Sequence, residues 1–299
     1  METKAKVKSK KAVFTIIFIF LAVVLVLFVA FADWLKIYEL VGVYPKVEKL
    51  TVAFIDVGQA DAIYINTEQG NMLIDAGCSQ DASKVREYLD RYHIKEIDTV
   101  IGTHDDWDHI GGMKTVVENY NVKNIYLPKY DEKDKSDTLS TLNRSIKSKD
   151  TDVSFVSGGI KLIKSKDLNV KILPPVDFEE DNDSSLIVKL RYKDCSFLFM
   201  GDASSKTEEK LLENNVNVSA DVLKVSHHGS RSATSKSFLK AVNPTAAVLS
   251  VGEMNTYNLP SLEVVKRLSK LGCKIYRTDL DGTVVMNSNG KSIRVQTEK

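Results

Sequence analysis

Between Ile101 and Gly112 the chain reads IGTHDDWDHIGG, which gathers two histidines and three aspartates into six consecutive positions of a protein with five histidines in all. The preceding Asp98-Thr99-Val100-Ile101-Gly102 has the apolar character of a buried strand, and Met113, Val116, Val117 and Tyr120 recur after it at helical spacing. The cluster therefore lies where a strand ends and a helix begins, a position from which side chains reach ligands. A fold for this chain must bring that loop to the edge of a sheet.

The flanking sequence supplies such a sheet. Leu50 to Asn66 reads as strand and turn, Gly70-Asn71 marks a hairpin, and Met72 to Asp75 forms a second apolar run, so the sheet begins antiparallel. Val85, Tyr88, Leu89 and Tyr92 define one face of a helix from Asp81. Residues 131–152, rich in Lys, Asp and Ser, read as an exposed helix or loop. Strands are expected at Ser185–Leu190, Ser196–Met200, Asp221–Val225 and Ala246–Val251, with two more joined at Asn289-Gly290. Helices are expected at Ser235–Val242 and Ser261–Leu271, and Ser205-Lys206-Thr207-Glu208 reads as the capping box of another. The fold class is thus α/β, or α+β, with two halves that each read as strands first and helices later.

Further ligand chemistry recurs at strand ends. Met200-Gly201-Asp202 closes one apolar strand with a carboxylate, and Ser226-His227-His228-Gly229-Ser230 closes the next with paired imidazoles. His104, Asp106, Asp108 and His109 form H-x-D-x-D-H, and imidazole with carboxylate is the ligand chemistry of zinc, manganese and iron. A tight loop can direct alternate side chains to two neighbouring ions. His93, with neither a carboxylate cluster nor a glycine turn beside it, is assigned no function.

The N-terminus carries a different constraint. Residues 12–32 contain no charge and would span about 31 Å as a helix, which matches a bilayer core. Lys4, Lys6, Lys8, Lys10 and Lys11 precede them, so the positive-inside rule predicts a cytoplasmic tail (1–11), a transmembrane anchor (12–32) and a tether (33–49). Residues 50–299 would then be extracellular, on a single-pass protein of the cell membrane. Ala30-Phe31-Ala32 resembles a cleavage site, but 21 apolar residues exceed the core of a signal peptide, and an uncleaved anchor is expected.

Without the tail there remain 36 basic and 39 acidic residues, a net charge near −3, so any affinity for a polyanion must be local. Lys224, Arg231, Lys236 and Lys240 are candidates near the paired histidines. Cys78, Cys195 and Cys273 lack the spacing of a zinc ribbon and read as small buried residues.

H-x-D-x-D-H, the Gly201-Asp202 step and DVLKVSHHGS (Asp221–Ser230) resemble the metallo-β-lactamase superfamily. FIDVGQADA, LIDAG, NDSSLIVKL and YRTDLDG are similar to the branch typified by the hydrolase domain of the DNA-uptake protein ComEC, over about residues 50–296. Ala60 and Leu259 depart from that branch, the latter standing where a histidine is usual. No multi-helix channel like that of ComEC is read in these residues, so a role in DNA uptake is not carried over.

The resemblance implies a four-layer αββα sandwich with two divalent ions, zinc or manganese, at one edge. His104 and Asp106 would hold one ion, Asp108, His109 and His228 the other, and Asp202 would bridge them. Which of His227 and His228 is the ligand stays open. Asp108 would orient the attacking water, and His227 or Lys224 would stabilise the phosphorane or protonate the leaving group. Gln59, Asn182 and Ser230 would contact the substrate.

The implied function is a membrane-anchored phosphodiesterase or nuclease acting on a phosphodiester such as DNA, with no protein partner predicted. A teichoic acid phosphorylcholine esterase is the related alternative. A non-catalytic receptor or assembly domain with a relic metal site is the other, and Leu259 is its support.

Overall fold

The computed structural model describes residues 17–27, 49–130, 136–147, 149–173 and 182–299. It divides into the units Met1–Val47 and Glu48–Lys299. In the first, residues 17–27 are helical and exposed. The expected tail, the remainder of the anchor and nearly all of the tether lie outside the described residues. Among the described residues no helix is long and apolar enough to cross a membrane.

In the second unit, eight strands form one sheet, in the order β15 (Ile293–Thr297), β14 (Val284–Ser288), β1 (Leu50–Phe54), β2 (Ala62–Thr67), β3 (Gly70–Ala76), β4 (Glu96–Ile101), β5 (Asn121–Pro128) and β6 (Asp152–Val156). Seven form the other: β13 (Lys274–Arg277), β12 (Ala246–Leu249), β11 (Val222–Lys224), β10 (Cys195–Phe199), β9 (Val188–Tyr192), β8 (Leu168–Ile172) and β7 (Ile160–Lys164). Both sheets are mixed: β1 to β3 pair antiparallel and β3 to β6 parallel, while β7 to β10 pair antiparallel and β10 to β13 parallel.

Alternation along the strands sorts the core into three clusters. Val52 and Phe54 of β1, Ile63 and Ile65 of β2, and Phe197 and Phe199 of β10 meet between the sheets. On the outer face of the first sheet, Tyr64 and Leu73 pack with residues of α1 (Ala82–Arg91), α3 (Met113–Asn119) and α4 (Asp137–Ile146). On the outer face of the second, Leu198, Leu223 and Leu249 pack with residues of α5 (Ser205–Glu213), α6 (Lys236–Val242) and α7 (Leu262–Lys270). The layers are therefore helix, sheet, sheet, helix, the expected αββα sandwich. The cysteines are free and buried, as expected.

Two local expectations are corrected. The stretch read as solvated contains α4, which buries Leu139, Leu142 and Ile146 because its few apolar residues share one face. The cap of α5 is Ser204, which accepts from the Lys206 amide at 3.1 Å. Glu208 does not close a box with Ser205; its buried carboxylate accepts instead from the amides of Thr234 and Ser235.

Candidate metal centre

The ends of β3, β4, β10 and β11 converge on one cluster. The loop after β4 supplies Thr103 and His104, and the single turn α2 (Trp107–Ile110) turns Asp108 and His109 toward the same point. Gly112 permits this packing, since a Cβ there would lie 2.0 Å from the Ala76 carbonyl oxygen. Asp202 follows β10. After β11, His227 and His228 both adopt left-handed φ, 50° and 51°, which is uncommon for residues with a Cβ and marks a loop held by its surroundings.

Each of three imidazoles is fixed through Nδ1 and directs Nε2 inward. His104 Nδ1 lies 3.1 Å from Thr103 Oγ1 and 3.4 Å from Ser185 Oγ. His109 Nδ1 meets Asp75 Oδ2 at 2.8 Å, and Asp75 also accepts from the Thr103 hydroxyl at 2.7 Å. His228 Nδ1 donates to the Ser250 carbonyl at 2.8 Å. The inward Nε2 atoms of His104, His109 and His228, together with Asp202 Oδ1, are buried without a hydrogen-bond partner among the described residues.

Such orphaned atoms are costly to bury unless something polar unites them. His109 Nε2 stands 3.2 Å from Asp202 Oδ1, and His228 Nε2 stands 3.5 Å from Asp108 Oδ2 and 3.7 Å from Asp202 Oδ2. One ligand atom each from His104, His109 and Asp202 lies within 4.8 Å of the others, and the same holds for Asp108, His109 and His228. Imidazole and carboxylate donors with Nδ1 held by a second layer of hydrogen bonds fit divalent transition ions. A third grouping, Asp61, Asp75 and His109, fits less well, because Lys224 and Thr103 already occupy its carboxylates.

The electrostatics follow from this crowding. Burial opposes charge on His109, but Asp202 and Asp75 outweigh it and hold its pKa well above the ordinary histidine value. Burial likewise opposes charge on His228, and Asp202, Asp108 and Asp61 raise its pKa. Asp202 is held well below the carboxylate range because His109 and His228 outweigh its desolvation.

Of the residues expected from sequence, His104, Asp108, His109, Asp202 and His228 come together. Asp106 sits at the rim, its side chain 42% exposed, with Oδ2 3.4 Å from His104 Nε2. His227 is the more open of the pair, 30% exposed against 2%, with Nε2 3.7 Å from Asp202 Oδ2. Ser230, beside it, bonds Ser232 at 2.9 Å.

Lys224 corrects the expected role in catalysis. It is fully buried, its Nζ 2.7 Å from Asp61 Oδ2 and 3.0 Å from the Val225 carbonyl, so it neither faces a substrate nor adds charge to the surface. Gln59 is engaged too, since its Oε1 accepts from the Gly252 amide at 3.1 Å. In the Asn182–Ser184 turn region it is Ser185, not Asn182, that touches the centre, through His104 and the Asp202 amide.

Sequence reading missed Asp61, Asp75, Thr103 and Ser185. Of these, Asp75 carried a signal: it is a lone charge inside the apolar strand segment LIDAG, where an unpaired charge would be prohibitive.

The model of the metallo-beta-lactamase superfamily matches residues 55–253. ComE operon protein 3 of Bacillus subtilis is 29% identical over 253 residues, which cover 78% of this chain and 32% of the relative. Recombination protein 2 of Haemophilus influenzae is 29% identical over 249 residues, covering 81% of this chain and 29% of the relative. The chain thus spans about a third of the length of these relatives. In three dimensions it is similar to CmlA, a diiron beta-hydroxylase from Streptomyces venezuelae, with a TM-score of 0.53 and 14% identity over 85% of this chain and 55% of that one. That likeness concerns the fold alone.

Proposed function

We propose that this chain, which belongs to the metallo-β-lactamase superfamily, is a membrane-anchored hydrolase that cleaves phosphodiesters outside the cytoplasm with two divalent ions, zinc or manganese. The observation that carries this reading is that three buried Nε2 atoms and Asp202 Oδ1, none with a hydrogen-bond partner among the described residues, belong to two overlapping sets of ligand atoms within 4.8 Å of one another. The lysine-rich tail and the apolar segment 12–32 support the anchor.

His104, Asp106 and Asp202 would hold one ion and Asp108, His109 and His228 the other. The two oxygens of Asp202 suit a shared position, Oδ1 facing His109 and Oδ2 facing His227 and His228. Bound there, the ions would lower the pKa of water and stabilise charge developing on phosphorus. Asp108, partly exposed beside His228, orients the attacking water and accepts its proton. His227 has its open face toward solvent and donates a proton to the leaving oxygen. Relatives named for recombination and for the ComE operon make single-stranded DNA the first polymer to test.

The test is hydrolysis by the full chain in detergent, loaded with manganese or zinc. Bis-p-nitrophenyl phosphate, single-stranded DNA and p-nitrophenyl phosphorylcholine are compared beside Asp108→Ala. Turnover of the first two that disappears in the variant supports the proposal. Turnover of phosphorylcholine alone would point to an envelope phosphoester, and equal rates in parent and variant would sink the metal-dependent reading.

A further inference from the structure

The second sheet is covered unequally on its outer face. Residues of α5, α6 and α7 pack over the outward residues of β10, β11 and β12. On β7, β8 and β9 the positions outside the intersheet core are Lys161 and Lys164, three residues apart across a register irregularity, and the alternate Asn169, Lys171, Lys189 and Arg191. They are placed in rows by the strand register: Lys161 pairs with Lys171 and Lys171 with Lys189, while Lys164 pairs with Asn169 and Asn169 with Arg191. Neighbouring strands lie about 4.8 Å apart and alternate residues about 7 Å apart, so five cations form a two-row lattice.

Like charges directly opposite one another destabilise a sheet. Among the described residues no carboxylate lies within 4.0 Å of these five side chains, and the nearest acidic residue of the groove, Asp167, pairs with Lys193 at 3.5 Å. Lys189 rests instead on Asn217, donating to its carbonyl and to its side-chain oxygen at 2.8 Å each. Burial first, then Lys171 and Arg191, push the Lys189 ammonium down to about 8. Lys166, Lys171, Lys189, Arg191, Asn217 and one carboxylate, Asp167, line one groove of about 290 Å³. A positively charged face that costs stability in the free protein calls for an anionic occupant. A row of cations at strand spacing matches a repeating anion better than a single one.

The face also connects to the metal centre. Strand β9 begins four residues after the Asn182–Ser184 turn, in which Asp183 accepts from the Ser204 amide at 2.9 Å and so holds the loop behind Asp202. The Lys161-Lys171-Lys189 row is the one nearer that end of the sheet, since Val188 pairs with Phe199 just before Asp202.

We infer that the outer face of β7, β8 and β9, over which no helix packs among the described residues, is a docking surface for the backbone of single-stranded DNA, held by its phosphates and independent of base sequence. This rests on the reading of the metal centre as a phosphodiesterase, and it places the polymer-binding charge on a sheet face away from the paired histidines. It also reconciles binding of a polyanion with a globular unit whose net charge is slightly negative.

The test is fluorescence anisotropy of a labelled oligothymidylate with the full chain in neutral detergent, with a chelator present so that no turnover intervenes. The triple variant Lys161→Gln, Lys171→Gln, Arg191→Gln is expected to bind at least tenfold more weakly. Its plot of log affinity against log salt should be shallower by about 2, as expected when three phosphate contacts are lost. Because like charges are removed, it should melt no lower than the parent. Lys266→Gln with Lys270→Gln on α7 is the control and should bind like the parent. Equal affinity of parent and triple variant would overturn the inference, as would an equal loss in the control. Tighter competition by anionic phospholipid vesicles than by unlabelled DNA would also overturn it. Hydrolysis of bis-p-nitrophenyl phosphate by the parent, measured separately, reports on the metal centre alone; patch-dependent DNA binding without that hydrolysis would uphold this surface and refute the catalytic reading.

Discussion

Asp75 Oδ2 and His109 Nδ1 lie 2.8 Å apart in the interior, which leaves His109 Nε2 pointing at Asp202. The carboxylate orients the imidazole and favours a proton on its Nδ1, and Thr103 locks the carboxylate in turn. Asp75→Asn keeps the shape and removes the charge. Its expected effect is a 10- to 100-fold loss of affinity for zinc or manganese with the fold retained. Competition with a chromogenic chelator measures it, and an unchanged affinity would show that Asp75 only fills space.

The paired histidines should separate by role. His228→Ala removes a buried inward Nε2 and is expected to lower the bound metal per chain. His227→Ala removes a partly exposed ring and should leave the metal content unchanged while slowing hydrolysis by about 100-fold, as loss of a proton donor does. Elemental analysis of the purified variants beside rates on bis-p-nitrophenyl phosphate decides it. Equal metal loss in both would remove the distinction.

Metal affinity should fall with acid. In the metal-free chain His109 and His228 hold protons above the ordinary value of 6.5, because nearby carboxylates outweigh burial. An incoming ion must displace those protons, so binding weakens as pH falls, beginning above pH 6.5. Calorimetric titration in two buffers of different ionisation enthalpy counts the protons released. Zero release at pH 7 would contradict the assignment.

Much of this site was legible as spacing, and the rest was not, for physical reasons. H-x-D-x-D-H is local: four candidate ligands lie within one loop, so sequence distance and spatial distance coincide. Asp202 and His228 were legible because each closes an apolar strand, and parallel neighbours β10 and β11 bring such ends together. The partners of Lys224 and His109 were not legible, since Asp61 and Asp75 lie 163 and 34 residues away and meet them only through the sandwich. Nor did periodicity show that β14 pairs with β1, or which end of the second sheet no helix covers among the described residues.

The capping of α5 gives a small test of that limit. The sequence pattern Ser205-x-x-Glu208 has the spacing of a capping box, yet Ser204 makes the cap and Glu208 serves the loop before α6. Ser204→Ala should cost about 1 kcal/mol, whereas Ser205→Ala should stay within about 0.5 kcal/mol of the parent. Urea unfolding compares the two, and the reverse order would restore the sequence reading.

Lys189 provides a test that couples the sheet face to stability. Its ammonium is held down to about 8 from 10.5 by burial and by Lys171 and Arg191, so folding disfavours the charged form. Between those two values the unfolded chain binds more protons than the folded one, and this residue's contribution to stability must rise with pH through that window. Other groups titrate there as well, so the informative quantity is the parent's stability minus that of Lys189→Met at each pH. It should climb by on the order of 2 kcal/mol between pH 8 and 10.5. Adding Lys171→Gln and Arg191→Gln to both proteins should flatten the climb, because part of the depression comes from those two charges. A level difference in the original pair would mean that Lys189 bears no penalty, and a climb unaffected by the added substitutions would assign the whole of it to burial.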